Sequence, residues 1–268
     1  MKSIYLDHAA STPVHPEVAE EMMRVMTGQY GNASSVHAFG RAAKRTVSGA
    51  RDRIAKFLGC LPDEIVFTAG GTESDNLALF GAASMRRSKG NHIITSSIEH
   101  HAVLHACEEL EKEGFRVTYL PVDHTGRVRP EDLEAALSED TILISIMYAN
   151  NEVRLRQTLI STLEQEIGRD AFVINGHQEE CLPHIVNISF PQTDTETLLM
   201  NLDMEGIAAA SGSACTSGSL ELSHVLEAMQ LPQNVLRSAI RFSFGLGNTT
   251  EDMEYTAQKI ETILRRLT

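Results

Sequence analysis

The sequence predicts an α/β domain built on a parallel sheet, followed by a smaller α+β domain. Between Glu64 and Val153, short apolar runs alternate with stretches of helical period, and strands alternating with helices give a parallel sheet. From Arg154 onward, helices and strands follow in mixed order, the pattern of an α+β fold. The 268 residues are enough for more than one core, and the apolar share of 42% and charged share of 22% are those of an ordinary globular chain. The boundary is placed near Val153, giving domains 1–153 and 154–268.

After a short N-terminal arm, residues 35–59 read as a long helix with a basic outer face of Arg41, Lys44, Arg45, Arg51 and Arg53. EIVFTAGG reads as a strand breaking on glycines, and TESDNLALFGAASMRRSKG as a helix stopped by glycine. NHIITSSIEH is a strand and HAVLHACEELEKEG a helix ending at Gly114. FRVTYLPVD, PEDLEAALSE and TILISIMYANNEV continue as strand, helix and strand. In the second domain RLRQTLISTLEQEIG is an amphipathic helix, and AFVING and HIVNISF are strands. A helix starts at Thr195, and a strand then runs into SGSACTSGS. AIRFSFG is a further strand. TTEDMEYTAQKIETILRRL closes the chain, Thr249 and Asp252 having capping-box spacing.

A net charge of -13 argues against wrapping a nucleic-acid backbone or docking on anionic lipid, and makes the basic helix a solvated face. MKSIYLDHAASTP lacks the apolar run of a signal peptide, and no stretch approaches a membrane span, so a cytoplasmic protein is expected. Cys60, Cys107, Cys181 and Cys215 are scattered, without CxxC spacing, which points to reduced thiols and no structural zinc.

Ligands of such sheets gather at the carboxyl ends of the strands. Three motifs fall there. In FTAGGTESDN, paired glycines before a helix opened by Thr72 can cradle a phosphate, or form an ordinary turn. In SSIEHHAV, His100 beside Glu99 can stack on a planar ligand, or be a plain surface group. In YANNEV, Asn150 and Asn151 can bond a ligand's ring substituents, or close a turn. Two further motifs lie in the second domain. Cys215 sits among residues no larger than threonine, giving a thiolate nucleophile the exposure and mobility it needs. Arg241, inside an apolar strand, needs an anionic partner: a substrate carboxylate or a structural acid.

Together YLDHAASTPVHP, YGNASSVHAFG, FTAGGTESDNLA, SSIEHHAVL, YANNEV, SGSACTSGS and RFSFG resemble the cysteine desulfurases, in the class V aminotransferase group of pyridoxal-phosphate enzymes. The resemblance runs in family order to both ends of the chain. It implies the fold type I architecture of such enzymes, with pyridoxal 5'-phosphate as cofactor. It assigns Gly71 and Thr72 to the cofactor phosphate, His100 to stacking on the ring and Asn151 to its phenolic oxygen. Arg241, with Asn32 nearby, is assigned to the carboxylate of L-cysteine. Cys215 would take the substrate sulfur as a persulfide, releasing alanine and passing sulfur to an acceptor protein for iron–sulfur clusters or tRNA thiolation. A homodimer is expected.

One block departs from the family pattern. The family continues past NNEV into the stretch holding the aspartate that pairs with the ring nitrogen and the Schiff-base lysine. Here Val153 runs directly into Arg154-Leu155-Arg156, and none of Lys2, Lys44, Lys56, Lys89, Lys112 or Lys259 lies in a matching stretch. The resemblance thus implies a truncated cofactor domain with impaired catalysis and weakened cofactor binding. It leaves open three alternatives: a non-enzymatic persulfide carrier, a partner of a full-length homologue, or a decayed product with no function of its own. The missing strands would also leave TILISIMYA as an apolar edge.

Overall fold

The computed structural model describes residues 2–147, 154–177, 184–211 and 223–267; the expected boundary at Val153 lies outside them. The chain divides into two compact units, one of residues 13–74 and one of residues 1–12 with 75–268.

The smaller unit is dominated by two helices, α1 (Pro16–Gly28) and α2 (Ala38–Leu58). Sequence reading took the α1 stretch for arm. Pro16 at the first turn is pre-set for a helix, and Val18, Met22, Val25 and Met26 recur at helical spacing, yet none of its residues is buried. Helix α2 follows the expected 35–59 span. The His37 ring accepts the Gly40 N–H at its start, and Gly59 closes it in a left-handed conformation at φ 72°. The segment from Ile65 to Ala69 is a correction. Ile65 has extended angles, but the segment joins no sheet among the described residues, and Val66 and Phe67 are 65% and 48% exposed. A strand is held by its neighbours, and an apolar run does not supply one. Arg51 of α2 holds the segment instead, donating to the Ile65 carbonyl with its guanidinium 4.8 Å from the Phe67 ring centre.

In the larger unit, β2 (His92–Ser96) lies between β3 (Arg116–Leu120) and β4 (Thr141–Ser145), all parallel as expected. Strand β2 is buried along its whole length, which is why its sequence runs apolar and small without alternation. Helices α3 (Gly71–Arg86) and α4 (His101–Lys112) supply Leu79, Ala83, Val103, Ala106, Cys107 and Leu110 to a core with Ile93 and Phe115. Gly114, at φ 91°, turns the chain out of α4. A short α5 (Pro130–Ala136) leads into β4. His92, fully buried, crosslinks the sheet: its Nδ1 lies 2.8 Å from Thr141 Oγ1 in β4 and its Nε2 2.8 Å from Thr118 Oγ1 in β3. Among the described residues β4 pairs with β2 alone and is an edge strand, with Ile144 45% exposed on it.

A second core shares no residue with the first. It lies around an antiparallel sheet in the order β5 (Val173–Asn175), β6 (Ile185–Ser189), β8 (Ala239–Ser243). Helices α6 (Arg154–Ile167), α7 (Thr195–Met204) and α10 (Thr250–Leu267) bury Leu159, Leu163, Leu198 and Ile260 against Phe172, Ile188, Phe190 and Phe242. The first strand of the chain, β1 (Ile4–Tyr5), pairs parallel with β7 (Ile207–Ala208), and Ile4 and Leu6 join this core. Two short helices, α8 (His224–Ala228) and α9 (Gln233–Leu236), had no reading in the sequence. The capping box of α10 forms as read: Thr249 N–H donates to Asp252 Oδ2 at 2.9 Å, and Asp252 N–H to Thr249 Oγ1 at 3.3 Å. Among the described residues no helix is long and apolar enough to cross a membrane.

Candidate active site

In the smaller unit, α3 begins at Gly71, and the Ser74 N–H donates to the Gly70 carbonyl as the helix's first bond. Neither Gly70 nor Gly71 has a left-handed φ, and a Cβ on either would meet no atom within 4 Å. Among the described residues nothing requires glycine here, and the turn lies open to them at a helix N-terminus. The Glu73 carboxylate reaches back to accept the Ala69 N–H at 2.6 Å, stiffening the turn. Asn32 closes a turn of its own, Oδ1 accepting the Ser34 N–H at 2.8 Å. Gly40 packs on the same turn, where a side chain would collide with the Ser35 and Asn32 carbonyls.

In the larger unit, Glu99 is buried beyond the end of β2, and its Oε1 accepts both the Ser96 hydroxyl and the Met147 N–H at 2.7 Å. It ties the ends of β2 and β4 together, a structural role. His100 stands at the start of α4 with its ring exposed, Nδ1 accepting the Ala102 N–H at 3.1 Å. It is thus presented at the carboxyl end of β2, as the sequence placed it.

The residues flanking the Cys215 loop are anchored at both ends. At one end Ala210 pairs with Arg241 of β8, Arg241 N–H donating to the Ala210 carbonyl at 2.7 Å. At the other end His224 Nε2 donates to the Glu99 carbonyl at 3.1 Å, and its ring centre lies 4.5 Å from that of His101. Burial lowers the pKa of His101, and the neighbouring His224, His105 and His100 lower it further, against an opposing pull from Glu108. Cys215 and Asn151 lie outside the described residues.

Arg241 is mostly buried. Its Nη2 lies 3.0 Å from Asp7 Oδ1, and its Nε has no hydrogen-bond partner among the described residues. Register places Arg241 opposite Asn187, and Asn187 opposite Asn175, a polar row across β8, β6 and β5. Asn175 Nδ2 donates to Asn187 Oδ1 at 2.7 Å, while Asn175 Oδ1 is also buried without a partner among the described residues. Of the residues assigned roles, Arg241 and His100 flank the two ends of one loop within the larger unit, and Gly71, Thr72 and Asn32 belong to the other. Sequence reading missed Asp7 and His224. Asp7 lay inside the quoted YLDHAA stretch without a role, and His224 carries no local signal.

The profile of the class V aminotransferases matches residues 4–159 and again residues 152–256. The chain belongs to that family, on its cysteine desulfurase branch. It is 37% identical to the putative cysteine desulfurase IscS 1 of Bacillus subtilis over 379 aligned positions, covering 100% of both chains. Those positions outnumber the 268 residues of this chain. Among solved structures, a NifS-like protein superposes with a TM-score of 0.87 at 26% identity, covering 99% of this chain and 100% of that one. SspA, in a structure with cysteine, gives 0.75 at 25% identity, covering 90% and 99%.

Membership of this family implies pyridoxal phosphate as cofactor. The described residues fit that group in part. The glycine turn before α3 suits a phosphate in part: it lies at a helix N-terminus and a Cβ on either glycine would meet no described atom, while the Glu73 carboxylate already occupies the Ala69 N–H beside it. The lysines do not fit its aldehyde. Lys2, Lys112 and Lys259 are paired with Asp252, Glu109 and Glu205. Lys89 precedes β2 and Lys112 ends α4 ahead of β3, so both lie toward the amino ends of the strands, away from His100. Lys44 and Lys56 lie within α2.

Proposed function

We propose that this chain is a cysteine desulfurase-type protein lacking the block that carries the Schiff-base lysine. It would bind L-cysteine through Arg241, move its sulfur to Cys215, and work slowly because the cofactor has no covalent anchor. The observation that carries the reading is the double family match, whose two parts meet at residues 152–159 in a chain shorter than its 379-position alignment. That junction also supports a domain boundary near Val153.

Pyridoxal phosphate, when bound, supplies an electron sink for the substrate amino acid. The chain's own residues do the rest. By family resemblance, Gly71 and Thr72 would hold the cofactor's phosphate, His100 would stack on its ring and Asn151 would bond its phenolic oxygen. Arg241 would hold the substrate carboxylate; Asn32, whose Oδ1 accepts the Ser34 N–H, keeps its amide NH2 group as a donor for an anion. The Cys215 thiolate would attack the substrate sulfur; the carbon–sulfur bond breaks with its electron pair going to the β-carbon, which takes up a proton to become the methyl group of alanine, and the sulfur remains on Cys215 as a persulfide. An acceptor protein then takes the sulfur, and a cytoplasmic homodimer is the setting. The exposed edge of β4 favours a second reading, in which the chain pairs with a full-length homologue and acts as a persulfide carrier.

The test is incubation of purified protein with pyridoxal phosphate and L-cysteine, assaying alanine and the mass of the Cys215 peptide. Slow alanine release, persulfide on Cys215, and cofactor that desalting removes are expected. Fast turnover, with cofactor fixed to a lysine by borohydride, would overturn the impairment.

A further inference from the structure

We propose that Asp7 sets the charge selectivity of the Arg241 site, admitting a ligand with one carboxylate and rejecting one with two. The inference rests on the reading of Arg241 as carboxylate binder and adds a residue and a substrate class to it. Two features of the Arg241 guanidinium carry it. One terminal nitrogen is engaged by Asp7 Oδ1 at 3.0 Å, with the two side chains only 13% and 22% exposed, so the pair is formally neutral and little screened. The Nε donor, by contrast, is buried and unpartnered among the described residues. A buried donor without an acceptor is costly to leave unmade, and the group that suits it is a single incoming oxygen.

The backbone that carries Asp7 is fixed on both sides. Leu6 N–H donates to the Ala208 carbonyl and Ser243 N–H to the Leu6 carbonyl, both at 2.8 Å. Ala9 N–H donates to Ser243 Oγ at 2.9 Å, and Ala10 and Ser11 donate to the Asp7 carbonyl. The backbone bearing the acid is therefore held between residues fixed to β7 and β8, and the carboxylate itself is held by Arg241. The backbone partners around the pair, Ala208, Ala210, Asn187 and Ser243, carry no charge. A first ligand carboxylate on Nε thus converts a neutral pair into a net anion. A second carboxylate on the same ligand meets Asp7 with its countercharge already shared, and like charges in poorly screened surroundings repel strongly.

The experiment is a titration of the purified full chain with L-alanine and with L-aspartate, followed through the Arg241 Nε–H resonance in nitrogen-edited proton spectra. The resonance is assigned by its loss in Arg241→Lys. Alanine should shift it saturably, and aspartate should need a concentration at least about tenfold higher, the scale of a like-charge contact. Asp7→Asn keeps an oxygen acceptor for Nη2 but removes the charge, and should erase most of that preference. Equal affinities in the unmutated chain overturn the proposal without any variant having to fold. So does a preference that survives Asp7→Asn. No response to alanine at Nε overturns instead the reading of Arg241 as carboxylate binder, and this inference with it.

Discussion

With a hydroxyl on each ring nitrogen, from Thr118 and Thr141, His92 spans all three strands of the parallel sheet. Replacing it with alanine leaves a cavity and strips both threonines of a partner, so His92→Ala should cost about 2–4 kcal/mol, read from urea unfolding. Burial holds the His92 pKa below its ordinary value, Arg116 lowering it further while Asp140 opposes, and His101 is depressed for similar reasons. A base with a depressed folded pKa is stabilising to the fold above its unfolded pKa, and that contribution is lost as pH falls from there toward the folded value. Urea midpoints should therefore drop as pH falls below about 6.5, the ordinary histidine value, and His101→Gln should flatten the slope. Cys107 behaves in the opposite sense: burial and the nearby acids Glu111, Glu99 and Glu108 push its thiol to about 11. At pH 8 only about one molecule in a thousand then carries the thiolate, so iodoacetamide should leave Cys107 unmodified until the chain unfolds, as peptide mass analysis will show. His100 and Arg241 could be found from sequence because each sits in a recognisable local run. Asp7 could not, since its meaning depends on a partner 234 residues away. Nor could His92, which interrupts a strand with a polar residue until its two threonines are known.

Elements whose stabilising contacts are local were legible, and those held by distant partners were not. The α10 capping box needs only residues 249 to 252 and forms as read. Thr249→Ala should lower stability by about 1 kcal/mol, measured by thermal denaturation. The segment Ile65–Ala69 has the composition of a strand and lacks a neighbour to pair with, so local pattern overstated it. Helix α1 was understated, because a helix that buries none of its residues shows no commitment of its apolar stripe to a core. The edge of β4 was expected from the sequence, and among the described residues β4 pairs with β2 alone. Placing a charge on it is the usual remedy for an apolar edge, so Ile144→Lys should reduce concentration-dependent association in light scattering, while the circular dichroism spectrum stays that of the parent. Unchanged association would mean that β4 is not the contact.

Stability is distributed unevenly over the whole molecule. The C-terminal core takes in residues from β1 to α10, with Phe172, Phe190 and Phe242 fully buried. The parallel-sheet core is smaller and open along β4. In the unit of residues 13–74, α1 has no buried residue and α2 has only Gly40 and Ala55. Buried apolar surface is the main source of folding free energy, and regions poor in it open first. Hydrogen exchange should therefore proceed in three ranks: α1 and α2 fastest, β2 to β4 next, and β6, β8 and α10 slowest. The slowest rank includes Arg241 and the anchored Ala210, so the end of the loop nearest Arg241 should keep its footing under conditions that already loosen the Gly71–Thr72 turn. Uniform protection across the three regions would contradict this order and mean that the chain unfolds as one cooperative body. If the ranking holds, exchange at the amides of the Gly71–Thr72 turn should rise at a urea concentration that still leaves the Arg241 Nε–H resonance in place, because the turn belongs to the weakest part and the guanidinium to the strongest.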